Sequence, residues 1–490
     1  MWATDTYLIG STGTVNHIWV SNYFPGVMVR WLGDGAILRT IRVDVGPGSG
    51  GAGGGVQKVQ WDGTVVWDFR YNTNGHLSHH DVRSLPNGNV LLIAWETKTR
   101  TETIAAGRNP NNVPYSGLWP DYIIEIKPTG PTSGDIVWEW HVWDHLIQDY
   151  DSSKANYGIV KDHPELIDIN FGSFEGGVGY DWMHANSIDY NEEFDQILIS
   201  VCYFSEIWVI DHSTTTEEAA GHTGGNSGKG GDILYRWGNP QAYRAGTTSD
   251  QKFFMQHDTT WIDEGCPGEG NILVFNNGAG RHYSSIDEII PPVNDDGEYY
   301  LEEGSAYGPE AQTWIYTASP PTSFYADHLS GAQRLSNGNT LITNGVTGKI
   351  FEVTHEGETV WQYNTGGQLF KAEVVSPEEP EPDVPKVDCS GSLSWTNIEP
   401  GGTVFGSFQL QNSGGLNSTL NWTVNTSSIT WGSWTFTPES GENLTPDDGK
   451  VTVQVSVVIP NEGNSEFEGY IRVENRENST DFDVIPVYLK

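Results

Sequence analysis

One short pattern returns six times along the chain. An aromatic strand core stands at Asn16-His-Ile-Trp19, Thr64-Val-Val-Trp67, Asp135-Ile-Val-Trp-Glu-Trp140, Asp232-Ile-Leu-Tyr-Arg-Trp237, Gln312-Thr-Trp-Ile-Tyr316 and Glu358-Thr-Val-Trp-Gln-Tyr363. Between these cores a polar stretch leads through a Gly-Asn turn into an apolar strand, as in Leu85-Pro-Asn-Gly-Asn-Val-Leu-Leu92, Gly270-Asn-Ile-Leu-Val-Phe275 and Leu335-Ser-Asn-Gly-Asn-Thr-Leu-Ile342. An Asn-Gly pair between apolar runs favours a tight hairpin, because both residues tolerate the positive φ that such turns need. Each unit is therefore a small antiparallel sheet, and one sheet cannot cover both of its own faces. Arranged radially, six of them cover one another and leave only short edges. The pattern predicts an all-β chain with a six-bladed β-propeller over residues 1–375. The 58 Gly and 20 Trp among 490 residues suit that fold, one supplying turns and the other bulky anchors. Insertions at 150–179 and 217–231 read as loops on the scaffold, where binding and catalytic groups concentrate.

The stretch Ser376-Pro-Glu-Glu-Pro-Glu-Pro-Asp-Val-Pro-Lys386 sets prolines among like charges, which favours an extended spacer. Residues 376–388 are thus a linker. Beyond it, in 389–490, polar and apolar residues alternate in Val451-Thr-Val-Gln-Val-Ser-Val457 and Gly469-Tyr-Ile-Arg-Val-Glu474, which predicts an immunoglobulin-like β-sandwich. That module has no His and reads as an attachment, spacing or assembly unit. Its sheet edges could build a homo-oligomer or filament. It also holds the Asn-x-Ser/Thr acceptor pattern at Asn417, Asn421, Asn425, Asn443 and Asn478, whereas the first 388 residues hold none. Acceptors confined to one module point to a glycosylated surface outside the cytoplasm, extracellular or at the cell surface.

Asp+Glu number 64 against 25 Lys+Arg, a net charge of -39. Such a surface repels phosphate backbones and anionic lipid, which argues against nucleic acid and membrane-surface partners. The longest apolar runs, such as Asn89-Val-Leu-Leu-Ile-Ala-Trp95, are too short for a spanning helix. The chain opens Met1-Trp2-Ala3-Thr4-Asp5 without a basic region and apolar core, so a secretory signal is expected to be absent or already removed. Cys202, Cys266 and Cys389 show no paired metal-ligand spacing. The acidic turn Asn294-Asp-Asp-Gly-Glu298 offers oxygens to Ca²⁺ but matches no full ligand template.

Four repeats carry a His just ahead of the inner strand: Ser78-His-His-Asp81, Trp182-Met-His-Ala-Asn-Ser187, Met255-Gln-His-Asp258 and Tyr325-Ala-Asp-His-Leu329. Equivalent positions on successive blades lie on one ring about the axis. His80, His184, His257 and His328 should therefore face one end of the channel, with Arg281 following the His257 strand to the same mouth. A cationic pocket in so acidic a protein marks a functional site. His79 and His282 adjoin this ring but should point the other way on a strand. His17, His76, His141, His145, His163, His212, His222 and His355 lack repeat register and read as structural or surface residues.

The run Asp211-His-Ser-Thr-Thr-Thr216 is followed by Leu234-Tyr-Arg-Trp-Gly-Asn-Pro240, Gln256-His-Asp258, Gly270-Asn-Ile-Leu-Val-Phe-Asn-Asn-Gly278 and Leu329-Ser-Gly-Ala-Gln-Arg-Leu-Ser-Asn-Gly-Asn-Thr-Leu341. This co-linear set, within residues 5–375, resembles the aryl-sulfate sulfotransferase family. The resemblance implies a six-bladed propeller enzyme that moves a sulfuryl group from a phenolic sulfate donor to a phenol acceptor without a nucleotide sulfate. It implies a transiently sulfated nucleophile at His328, with His184, His257 and Arg281 holding sulfate oxygens. His80 matches a repeat position of unassigned role. The residue types fit that chemistry, since a neutral imidazole is a competent nucleophile near pH 7. A sulfuryl group carries less charge than a phosphoryl group, so Arg and imidazole donors can take the place of Mg²⁺, and no cofactor or metal is required.

Two other readings of the same residues stand. One is a non-catalytic surface-layer or filament subunit built on the propeller. The other is a metalloenzyme whose four ring His bind a transition metal, against which a nearby Arg281 argues by charge.

Overall fold

A computed structural model describes residues 4–33, 35–43, 50–73, 75–172, 180–375, 384–414, 418–462 and 466–490. Linker residues 376–383 and the acceptor Asn417 lie outside the described residues. The chain divides into two compact units that part between Val375 and Ser376.

The first unit contains five four-stranded antiparallel sheets, each a meander in chain order. Their first strands are β1 (Phe24–Trp31), β2 (His76–Ser84), β3 (Ala185–Asn191), β4 (His257–Trp261) and β5 (Gly331–Arg334). These strands pack successively, β1 on β2, β2 on β3, β3 on β4 and β4 on β5, and so form the inner wall of a propeller. The last strands, Val65–Arg70, Ser133–His141, Tyr235–Trp237, Trp314–Tyr316 and Thr359–Asn364, hold five of the six aromatic repeats. The remaining repeat, around Trp19, falls on a two-stranded hairpin, Thr6–Ile9 with Val15–Trp19.

The repeated tryptophan explains how six units close a ring. Each donates its indole N–H to the next unit: Trp19 to Gln60 O at 3.1 Å, Trp67 to Ser133 O at 3.0 Å, Trp138 to Thr214 Oγ1 at 3.1 Å. Trp237 continues to Pro309 O at 2.8 Å, Trp314 to His355 O at 2.8 Å, and Trp361 returns to Ser11 O of the hairpin at 2.7 Å. A large apolar ring with one donor suits this position between blades.

Carboxylates stitch the inner strands. Asp81 accepts from Ile188 N at 3.0 Å, Asp189 from Trp261 N at 2.9 Å, and Asp258 from Ala332 N at 2.9 Å. Between the fifth sheet and the first, Lys371 pairs with Asp258 and Glu373, and Glu373 pairs with Arg30, which also holds Asp81. The second and third strands are covered on both faces by neighbouring blades, and Val90–Glu96, Gln196–Val201, Glu206–Asp211 and Ile272–Asn276 are buried at every residue. Each such Ile, Leu or Val contributes about 1.5–3 kcal/mol by leaving water.

The second unit is a β-sandwich of a four-stranded and a five-stranded sheet around Phe408, Leu410, Trp422, Val453, Ile471 and Ile485. Val451–Val458 shows the expected alternation, burying Val453, Val455 and Val457. Asn443 and Asn478 are exposed on this unit, and Asn421 and Asn425 are half-buried. All three cysteines are free. Among the described residues no helix is long and apolar enough to cross a membrane.

Candidate active site

The inner strands begin irregularly, and that irregularity builds the site. The pairing register breaks between Pro25 and Val29, between Ser78 and Val82, between Ala185 and Ser187, and between His257 and Thr259. At these starts non-glycine residues take positive φ: Val27 at 101°, His80 at 51°, His184 at 56° and Asp258 at 48°, with Leu329 at 56° just ahead of β5. Such bulges re-aim side chains, and each left-handed residue stores about 1–3 kcal/mol that the surrounding contacts must outweigh. Their recurrence at one end of four blades marks where the fold accepts strain.

His80, His184 and His257 come together there, all buried. The His80 and His184 rings meet edge to face at 4.5 Å, and His184 also stacks on Tyr203 at 4.7 Å. His257 lies close enough for the charge of His184 to bear on it, and likewise that of His328. His328 is the outermost member, with its side chain 49% exposed, and its Nδ1 lies 2.6 Å from Asp327 Oδ1.

Bulging also reverses one expectation. His79 does not face away: residues 79–81 stand opposite Ile93 alone, so alternation fails and both imidazoles turn inward. His79 Nδ1 lies 2.8 Å from His80 Nδ1, and its Nε2 lies 2.9 Å from Asp121 Oδ1. Its ring stacks on Trp95 at 3.7 Å. The carboxylates that serve the cluster are Asp121 and Asp181, with Asp327 at its rim. Asp81 and Asp258, although adjacent to ring His residues in sequence, are engaged between blades.

The imidazoles differ sharply in charge. Burial, reinforced by neighbouring imidazoles, pushes His79 and His80 well below the ordinary histidine value and brings His257 down to about 3. Burial acts on His184 too, but the Asp181 carboxylate, 2.6 Å from its Nδ1, and Asp121 beyond it outweigh that effect and raise its pKa. Within the cluster the carboxylates therefore favour a proton on His184, whereas burial keeps His79, His80 and His257 neutral. The His257 tautomer is fixed as well. Asn277 donates its amide hydrogens to Ala326 O at 2.8 Å and Leu329 O at 3.0 Å, so its Oδ1 must accept from His257 Nδ1 at 2.8 Å. That leaves a lone pair on His257 Nε2.

Arg281 sits at the same end of its blade, bound to its own loop. Its guanidinium lies over Phe254 and Tyr283 and donates to Ser285 Oγ at 2.6 Å and Tyr283 O at 3.0 Å. A longer bond of 3.4 Å reaches Asn276 O, next to the partner of His257. Repeat spacing also gave no role to Gly51, whose carbonyl accepts from His80 N at 2.8 Å. A Cβ there would fall 2.0 Å from the His80 ring, and φ is +77°. The glycine-dense run Gly50-Gly-Ala-Gly-Gly-Gly55 was the available signal.

An exposed imidazole backed by a carboxylate, beside a buried imidazole whose protonation a carboxylate favours and three neutral rings, can serve as nucleophile, acid and hydrogen-bonding partners for an anionic group. The sequence model of the family described as arylsulfotransferase (ASST) matches residues 49–381. A curated relative, arylsulfate sulfotransferase AssT of Escherichia coli O6:H1 (strain CFT073), is 23% identical over 310 residues, which take in 59% of this chain and 49% of that protein. The chain thus spans about half the length of this relative. A solved protein from Bacteroides caccae is 14% identical with a TM-score of 0.40, covering 76% of this chain and 94% of its own. BamB from Moraxella catarrhalis is 9% identical with a TM-score of 0.30, covering 85% and 76% respectively. The family match takes in His80, His184, His257, Arg281 and His328 together, and the chain belongs to the arylsulfotransferase family.

Proposed function

We propose that the chain transfers a sulfuryl group from a phenolic sulfate ester to a phenol through a sulfated His328. The observation that carries this reading is the contact of Asp181 with His184, which favours a proton on that ring, beside neutral imidazoles and the carboxylate-backed His328. Hydrogen bonding of Nδ1–H to Asp327 leaves the lone pair on His328 Nε2, which attacks sulfur as the bond to the phenolic oxygen breaks. His184 Nε2–H gives its proton to the departing phenolate, and Asp181 stabilises the imidazolium before that step. The acceptor phenol then returns a proton to His184 Nε2 while its oxygen attacks sulfur, which releases His328 and the new ester. Arg281, at the rim beside the His257 strand, is proposed to hold sulfate oxygens, and its loss would cost about a hundredfold in turnover. The sandwich is proposed to attach or space the propeller outside the cytoplasm.

The test is release of nitrophenolate from 4-nitrophenyl sulfate with and without a phenol acceptor and with and without chelator. Acceptor-dependent, chelator-insensitive release that His328→Ala abolishes, with the fold intact by circular dichroism, is the expected result. Full turnover in His328→Ala removes the nucleophile assignment.

A further inference from the structure

Away from the imidazole cluster, a second group of donor atoms converges. His145 follows strand Ser133–His141 of the second blade and is wholly buried. His222 lies in the 217–231 insertion with its side chain 60% exposed, and Asp232 ends that insertion. One donor atom from each residue lies within 4.8 Å of the other two. His145 Nδ1 is 2.9 Å and His222 Nδ1 2.7 Å from the same Asp232 Oδ1.

Hydrogen-bond accounting leaves this group one positive charge short. His145 Nε2 is 2.8 Å from Ala219 O and must donate to it. A neutral His145 then turns the lone pair of Nδ1 on a carboxylate oxygen, a repulsive contact in a dry site. A cation on or between the two groups resolves it. An imidazole whose far nitrogen donates to a backbone carbonyl is also the usual arrangement of a metal-ligating histidine.

The surroundings are shaped to hold His145. Trp140 stacks on it at 5.7 Å with the rings 10° apart, and donates to Gly231 O at 2.7 Å. A Cβ on Gly231 would lie 2.0 Å from Ala219 O and 2.6 Å from His145 Nε2, so a side chain there would expel the imidazole.

We propose that His145, His222 and Asp232 bind one divalent transition-metal ion, best Zn²⁺, through both Nδ1 atoms and a carboxylate oxygen. Two imidazoles and one carboxylate suit Zn²⁺ and disfavour Ca²⁺ and Mg²⁺, which take oxygen ligands. Bond lengths of about 2.0–2.1 Å at tetrahedral angles put ligand atoms about 3.3 Å apart. The two contacts with Asp232 need open by only about half an ångström, and the exposed His222 supplies that movement and sets the spacing of the two imidazole nitrogens. Solvent takes the fourth position. Such an ion clips together residues 87 positions apart in sequence and clamps the 217–231 insertion to the second blade. It shares no residue with the proposed transfer site.

The test uses the full chain, stripped with chelator, dialysed and titrated with ZnSO₄ by calorimetry, with zinc content measured after gel filtration. About one zinc per chain and a raised melting temperature are expected. His222→Ala, at an exposed position, should fold normally and bind zinc at least about 100-fold more weakly, since even outer-sphere changes at such sites cost 10–100-fold. Co²⁺ in place of zinc should give visible d–d absorption that His222→Ala loses. Failure of the wild-type chain to take up zinc, or equal uptake by His222→Ala, overturns the proposal and leaves a proton as the missing cation.

Discussion

Asp181→Asn isolates what the carboxylate does for His184. The wild-type oxygen lies 2.6 Å from His184 Nδ1, and both side chains are buried. His184 is faced by the carboxylates of Asp181 and Asp121 and by the imidazole of His80. Tyr203 and Trp95 supply further ring faces. The amide keeps the shape and removes the charge, so burial, the largest influence on His184, is opposed by the charge of Asp121 without that of residue 181. The imidazole then loses its Nε2 proton at a lower pH than in the wild type. A hydrogen bond to a charged group contributes about 1.5–3 kcal/mol. If that difference falls on the protonated form of His184, at 1.36 kcal/mol per decade the fraction of acid available above the wild-type alkaline limb, and with it kcat/KM, falls by about 10- to 150-fold. The assay is the pH profile of kcat/KM with 4-nitrophenyl sulfate and with phenyl sulfate, whose leaving group is poorer. The alkaline limb should move to lower pH in the variant, and phenyl sulfate should suffer more because its departure depends more on the proton. A variant with the wild-type alkaline limb and equal losses on both donors refutes the assignment of His184 as the acid.

Gly51→Ala should displace the His80 ring and lower turnover more than tenfold. Gly63→Ala has positive φ but nothing within 4 Å, so it should cost only about 1 kcal/mol of stability, read by urea unfolding. Arg30→Met should destabilise the propeller by about 3–5 kcal/mol in the same measurement, because Asp81 and Glu373 lose a buried partner at 2.7–2.8 Å. Burial opposes charge on His212, yet its bonds to Asp195 at 2.6 Å and Glu125 at 2.9 Å raise its pKa to about 9. With the folded value above the unfolded one, the resulting stability is fully present below about pH 6.5 and lost as pH rises through 9. The loss is about 3 kcal/mol at 1.36 kcal/mol per unit, and His212→Gln should flatten that part of the stability profile.

The propeller was legible because its signal is local and repeated. Each outer-strand tryptophan sits among alternating residues, and each donates to the next unit, so spacing alone located six members of the ring. The first member is different, since Trp19 belongs to a hairpin rather than a four-stranded sheet, and a motif of four residues carries no count of the strands around it. The imidazole cluster was legible to the level of His80, His184, His257 and His328, whose common place in the repeat does put three of them together, with the fourth felt by His257.

What spacing could not supply was direction. Strand alternation sends His79 away from His80, and it does so only while φ stays negative; the left-handed turn at His80 brings the two rings together and leaves His79 with Asp121 as its partner. Asp181, close to His184 in the chain, and Asp121, distant from His79, likewise acquire their roles from where the bulges aim them. The same limit applies to His145, His222 and Asp232. They follow no repeat, because the insertion that carries His222 occurs in one blade, and only the bond from His145 Nε2 to Ala219 O reveals that Nδ1 faces the carboxylate across a place for a cation. In a repeat protein, periodicity therefore identifies the residues that all blades share, and the chemistry that distinguishes one blade must be found by asking, nitrogen by nitrogen, where each proton is.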